Sequence, residues 1–121
     1  MHPMRIVIGG QVEREALADL VKTIGGDRVE VSVKNDIEAA MAVKTGAADY
    51  YLGACHTGGG GALAMAIALL GLSNCATLSM PGNIRSDDEI RKEIGSGKKA
   101  FGFTAQHMQQ VVPVVLDALL K

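Results

Sequence analysis

The 121 residues predict an α/β protein, a three-layer αβα sandwich around a five-stranded parallel sheet. Three observations lead there. Short apolar runs alternate with longer stretches whose apolar residues recur every three or four positions, the signature of repeated βα units. Glycine, at 15 of 121 positions, punctuates the runs well above its usual frequency of about 7%. Hydrophobic residues at 48% against charged residues at 21% rule out a disordered chain and suffice for one buried core.

Each element has a local reason. Met4 to Ile8 is a β-branched first strand, closed by Gly9-Gly10. Gln11 to Ile24 carries Val12, Ala16, Leu17, Leu20, Val21 and Ile24 on one helical face, and Gly25-Gly26-Asp27 stops it. Val29 to Val33 alternates apolar and polar residues, as a half-buried edge strand does. Asn35 or Asp36 caps a second helix, with Ile37, Ala40, Met41 and Val43 turned inward and Gly46 at its end. Ala48 to Gly53 is the third strand. Ala62 to Leu70 is a third helix, ended by Gly71, and Cys75 to Ser79 a fourth strand. Ser86 and Glu89 form a capping box that opens a short helix with Ile90 and Ile94 inward. Ala100 to Phe103 is the fifth strand. Thr104 caps a last helix that presents Met108, Val111, Val112, Val115, Leu116 and Leu119, with a kink expected at Pro113.

Five such units in one domain, residues 1–121, predict the doubly wound, flavodoxin-like (Rossmann-like) strand order 2-1-3-4-5. Ligands of such sheets bind beyond the carboxyl ends of the strands, where the order reverses. Here that crevice lies between strands one and three, walled by Gly9-Gly10-Gln11 and by Ala54 to Gly61.

Composition narrows the function classes. Twelve basic and thirteen acidic residues leave a net charge of −1, which argues against sequence-independent nucleic-acid binding. Aromatic residues are few: Tyr50, Tyr51, Phe101 and Phe103, too few to stack bases. Cys55 and Cys75 do not make a secreted disulfide framework, and the amino terminus lacks the order of a signal peptide. The most apolar stretch, Ala62 to Leu72, is shorter than the 18 or so residues that cross a bilayer. A cytoplasmic protein with no membrane insertion and no nucleic-acid partner is expected.

The crevice residues carry the chemistry. Gly58, Gly59, Gly60 and Gly61 form a strand-to-helix turn whose backbone a ligand can approach closely. The free N–H groups and positive dipole end of the following helix favour a phosphate or carboxylate, and Thr57 adds a hydroxyl. The alternative is that the glycines only let helix and sheet pack closely. The run is neither a Walker loop nor a Gly-x-Gly-x-x-Gly turn. Cys55, at a helix start beside His56, is a candidate base or nucleophile, or else a small core filler. His56 is a candidate proton carrier, ligand contact or phosphoryl acceptor, or a solvated loop residue. Cys75 is read as core. Asn83 and Arg85, in the loop after strand four, are candidate contacts for an anion. His107 is placed two strands from the third, about 10 Å to the side, within reach only from the flank or from a partner subunit. His2 is read as a free end. Three histidines and two distant cysteines give no metal-ligand spacing, and no cofactor is implied. The third helix has no polar face, so a homo-oligomer, a dimer by preference, is expected to cover its outer side.

Across Ala48 to Gly60 the sequence resembles the third strand and loop of type B ribose-5-phosphate isomerases, which carry a Cys-Gly-Thr-Gly-x-Gly turn. That resemblance implies Cys55 as base, with Thr57 and the glycines holding an oxyanion. The family's Asp-His pair after the first strand is replaced here by Gly9-Gly10. End to end, the chain resembles the YhfU-like group of short, uncharacterised bacterial proteins. Two functional expectations result. One is a site for a small anionic, phosphorylated metabolite, isomerase-like, with Cys55 or His56 as proton carrier. The other is a non-catalytic or phosphoryl-handling partner of a membrane transport system, similar in fold to phosphotransferase B components.

Overall fold

The computed structural model describes residues 2–56 and 59–121. Its strands are β1 (Met4–Gly10), β2 (Val29–Val33), β3 (Tyr50–Cys55), β4 (Cys75–Thr77), β5 (Ser79–Met80), β6 (Asn83–Ile84) and β7 (Ala100–Thr104). Five of them form one parallel sheet in the order β2-β1-β3-β7-β4, and β5 and β6 pair as a separate antiparallel hairpin. Around the sheet lie α1 (Arg14–Gly25), α2 (Asp36–Lys44), α3 (Gly59–Leu70), α4 (Asp87–Gly95) and α5 (Met108–Leu119). The accessible surface is 6114 Å², close to the roughly 6,200 Å² of a folded monomer of this mass.

The fold class is the one the sequence predicts, but the last two sheet strands exchange places. Counted along the chain the order is 2-1-3-5-4, because β7 pairs with β3 on one side and β4 on the other. Residue chemistry explains the exchange. Every residue of Ala100–Thr104 is buried, as an interior strand requires. β4 pairs over only three residues and ends at the half-buried Thr77, which suits an edge. Right-handed crossovers then settle the layers. The outward step from β3 to β4 puts α3 beside α2, and the return step from β4 to β7 puts α4 beside α5 on the other face.

Alternation along the strands divides the core. On one face Ile6, Ile8, Leu52, Phe101 and Phe103 meet α1, α4 and α5. On the other, Val7, Tyr51 and Ala100 meet the alanines of α2 and α3. The second gap is thin: a Cβ on Gly102 would lie 2.7 Å from Leu63 Cγ. The expected inner face of α2 holds in part: Ala40 is buried and Val43 packs against the core, but Ile37 and Met41 turn outward. Ala39, Ala40 and Ala42 are buried, whereas Ile37 is 57% and Met41 39% exposed. Ala39 and Ala42 take the places expected of Ile37 and Met41.

Helix ends follow their local signals, with one exception. Asn35 Oδ1 accepts from Glu38 N–H at 2.8 Å, and Ser86 and Glu89 close a capping box. Gly46 and Gly71, at φ +84° and +91°, follow the ends of α2 and α3. Thr104 does not cap the last helix. A 3₁₀ turn, Ala105–His107, intervenes, and α5 starts at Met108. Pro113 lies inside α5 on its exposed side, where water can serve the carbonyl that loses its donor.

Glu13 precedes α1 with φ 57° and makes no side-chain cap bond. A left-handed non-glycine residue costs about 1–2 kcal/mol. The Glu13→Gly variant is therefore expected to gain about 1 kcal/mol in urea unfolding. A lower midpoint would show instead that the glutamate side chain holds this turn.

Candidate functional site

The carboxyl edge of the sheet is organised by one buried side chain. Tyr51 points from β3 across Gly9 and Gly53, where added Cβ atoms would lie 2.5 and 3.0 Å from its ring. Its hydroxyl accepts from Gly10 N–H at 3.0 Å and donates to the Ala62 carbonyl in the first turns of α3. Asp36 Oδ1, at the start of α2, lies 3.4 Å away. Four elements thus meet at one phenol. Burial, and next the Asp36 charge, push the Tyr51 hydroxyl far above its ordinary pKa, so it stays protonated. Burial also raises the Asp36 carboxyl, against the Gly10 amide, the Tyr51 hydroxyl and the Arg14 charge, which favour the carboxylate.

The loop after β1 is tied to β3. Gln11 and Val12 both donate to the Ala54 carbonyl, at 2.9 and 3.3 Å. Gly10 has φ +80°, and a Cβ there would lie 2.5 Å from Ala54 N. The glycines at 9 and 10 therefore have packing reasons of their own. Gln11 reaches the start of α3, since a Cβ on Gly61 would lie 2.7 Å from Gln11 Oε1. Beside it opens a hollow of about 430 Å³ walled by Gly10, Gln11, Arg14, Asp36 and Met65. The helices that follow β1 and β3 lie on opposite faces of the sheet, the arrangement in which open α/β sheets receive ligands.

Gly9, Gly10, Gln11 and Gly61 thus come together as the sequence predicts. Cys55 ends β3 and is buried; His56 follows it and is exposed. Gly59 and Gly60 open α3, while Thr57 and Gly58 lie outside the described residues. Asn83 and Arg85 do not join this group. They line a separate hollow of about 330 Å³ with Thr77, Ser79 and Glu89, beside the edge strand β4. Glu89 titrates below the usual range, mainly through the Ser86 backbone, with a smaller part from Arg85.

The strand exchange brings other groups in. Thr104, not Arg85, neighbours the third strand: it is the register partner of Cys55. The turn that carries His107 follows directly, one strand from β3 rather than two. Thr104 Oγ1 and His107 Nδ1 are buried with no hydrogen-bond partner among the described residues. Sequence reading passed over Tyr51, Asp36 and Thr104. The signal for Thr104 was the uniformly apolar run before it, which marks an interior strand. Among the described residues no three His, Cys, Asp or Glu side chains cluster as metal ligands, and no helix is long and apolar enough to cross a membrane.

A family model described as "Protein of unknown function DUF2620" matches residues 4–119, and the chain belongs to that family. It is similar to proteins named "Uncharacterized protein YhfU" from Escherichia coli K12, Escherichia coli O6:H1 and Shigella flexneri. Each is 40% identical over 108 residues, which cover 89% of this chain and 92% of the relative. No solved structure matches the chain significantly.

Removing the hydroxyl at the centre of the edge should be costly. Tyr51→Phe leaves the Gly10 amide without its acceptor and the Ala62 carbonyl without its side-chain donor, in a buried place. A loss of about 1–3 kcal/mol in urea unfolding is expected, and an unchanged midpoint would mean that water replaces the phenol.

Proposed function

We propose that this member of the family binds a small anionic metabolite, a phosphorylated one by preference, at the start of α3. The observation that carries this is the seating of the Gln11 amide against Gly61, in space that any side chain would fill. It sets a neutral polar group beside the first turn of a twelve-residue helix, where backbone N–H groups lack intrahelical acceptors and the dipole favours negative charge. The placement of α1 and α3 on opposite faces after β1 and β3 supports the same place. A proton-carrier role in an isomerase-like reaction on the bound metabolite falls to Cys55 or His56, which join β3 to this turn.

Phosphate and sugar phosphates are the probes. Ligand in hundredfold excess over its Kd should stabilise the native chain by about 2.7 kcal/mol, read as a higher melting temperature. Gly61→Ala separates site from fold. Alanine suits a helix better than glycine by about 0.5–1 kcal/mol, and the clash falls on the flexible end of Gln11. The variant should melt at or above the native temperature without ligand, yet lose the ligand-dependent rise. A native protein whose melting no phosphate compound shifts would overturn the proposal.

A second copy of the chain is the proposed cover for the α2–α3 layer. Ala64 and Ala68 of α3 are exposed, as are Ile37 and Met41 of the adjoining α2. No residue of Gly59–Leu70 is charged, so a two-fold contact would set no like charges of α3 against each other. Sedimentation should show a dimer that Ala64→Arg dissociates; a native monomer at micromolar concentration would sink this.

A further inference from the structure

We propose that Thr104 is a binding residue of the anion site, its hydroxyl donating to an oxygen of a phosphate held at the start of α3. This rests on the site proposed above and adds a wall to it from β7. Thr104 is the register partner of Cys55 in the adjacent strand. Strand alternation turns its side chain to the same face as Gly102, and Gly102 is the residue on which Leu63 of α3 packs. Two residues up a strand is about 6.6 Å. The same rise along a helix is about four residues, so the Thr104 side chain stands about level with Gly59, where α3 begins.

The hydroxyl itself points to a ligand. Thr104 is 0% exposed, and its Oγ1 has no hydrogen-bond partner among the described residues, although its backbone N–H donates to Ser79 Oγ at 3.0 Å. A buried hydroxyl without a partner is costly in the free protein. An oxyanion on the α3 amides would supply the missing acceptor. Gln11, on the β1 side of the first turn, and Thr104, on the β7 side, then flank the same group. A tetrahedral phosphate, with oxygens directed several ways, fits donors on two sides and at the helix end.

Titration with inorganic phosphate tests this, using the native protein, Thr104→Val and Thr104→Ser. Valine keeps the shape and removes the hydroxyl, so its ligand-free melting temperature should equal or exceed the native one. Its phosphate affinity should fall about tenfold or more, the usual effect of losing a hydrogen bond to a charged group, whereas serine should retain binding within about threefold. Native affinity in Thr104→Val overturns the role of Thr104 and leaves the α3 site standing. A sharply lower ligand-free melting temperature in that variant also overturns it, because the hydroxyl would then be satisfied inside the protein. A native protein that does not bind phosphate overturns both proposals.

Discussion

Tyr51 lies flat across Gly9 and Gly53, and the carboxyl edge of the sheet depends on that contact. The ring fills space that two side chains would otherwise claim, with added Cβ atoms at 2.5 and 3.0 Å from it. Its hydroxyl then reaches past β1 to the Gly10 amide, the Ala62 carbonyl and the neighbourhood of Asp36. Three backbone segments that bear on the crevice are thus held to one rigid group: the end of β1, the first turns of α3 and the start of α2. A crevice built on loops alone would be loose; this one has a buried hydrogen-bonded anchor beneath it.

The same contact makes the two faces of the sheet unequal. Where Ile6, Ile8, Leu52, Phe101 and Phe103 project, three helices pack at ordinary depth over branched and aromatic side chains. Where Val7, Gly9, Gly53, Ala100 and Gly102 project, only Tyr51 is large, and α2 and α3 approach on alanines. Close approach brings backbone near backbone, which suits a site made of main-chain amides more than one made of long side chains. Ile37 and Met41 of α2 lie on the outward side of this layer.

Local chemistry was legible in the sequence and distance was not. The Asn35 cap, the Ser86–Glu89 box and the glycine stops need only neighbours within a few residues, and each stands where the sequence places it. The inner face of α2 depends instead on packing against β1, β3 and α3, whose residues are distant in the chain. The sequence reading put Ile37, Ala40, Met41 and Val43 inside; Ala40 and Val43 do face the core, whereas Ala39 and Ala42 are buried and Ile37 and Met41 are exposed. Gly9, Gly10, Gln11 and Gly61 were grouped correctly because they lie in the turns after β1 and β3, which are neighbours in either strand order. Asn83 and Arg85 were misplaced because their position depends on which strand neighbours β3. Tyr51 was missed because an aromatic residue in a strand reads as core, and nothing local says its hydroxyl meets two backbone groups and a carboxylate.

One topological step accounts for both the β7 wall of the proposed site and the bare face beside it. Had the last strands run in sequence, right-handed crossovers would have laid α4 next to α3 and set the loop with Asn83 and Arg85 beside Cys55. Inserting β7 between β3 and β4 reverses the direction of the final crossover, and α4 moves to the opposite layer with α5. Only α2 and α3 then cover a face five strands wide, which is why Ala64 and Ala68 meet solvent. The strand that displaced β4 ends in a buried hydroxyl beside Cys55 rather than in a solvated arginine. The proposed anion site would draw on helix amides and on neutral donors such as Gln11 and Thr104. The exchange of two strands thus sets Thr104 rather than Arg85 beside Cys55, and it does so through Ala100–Thr104, whose burial on both faces makes β7 an interior strand.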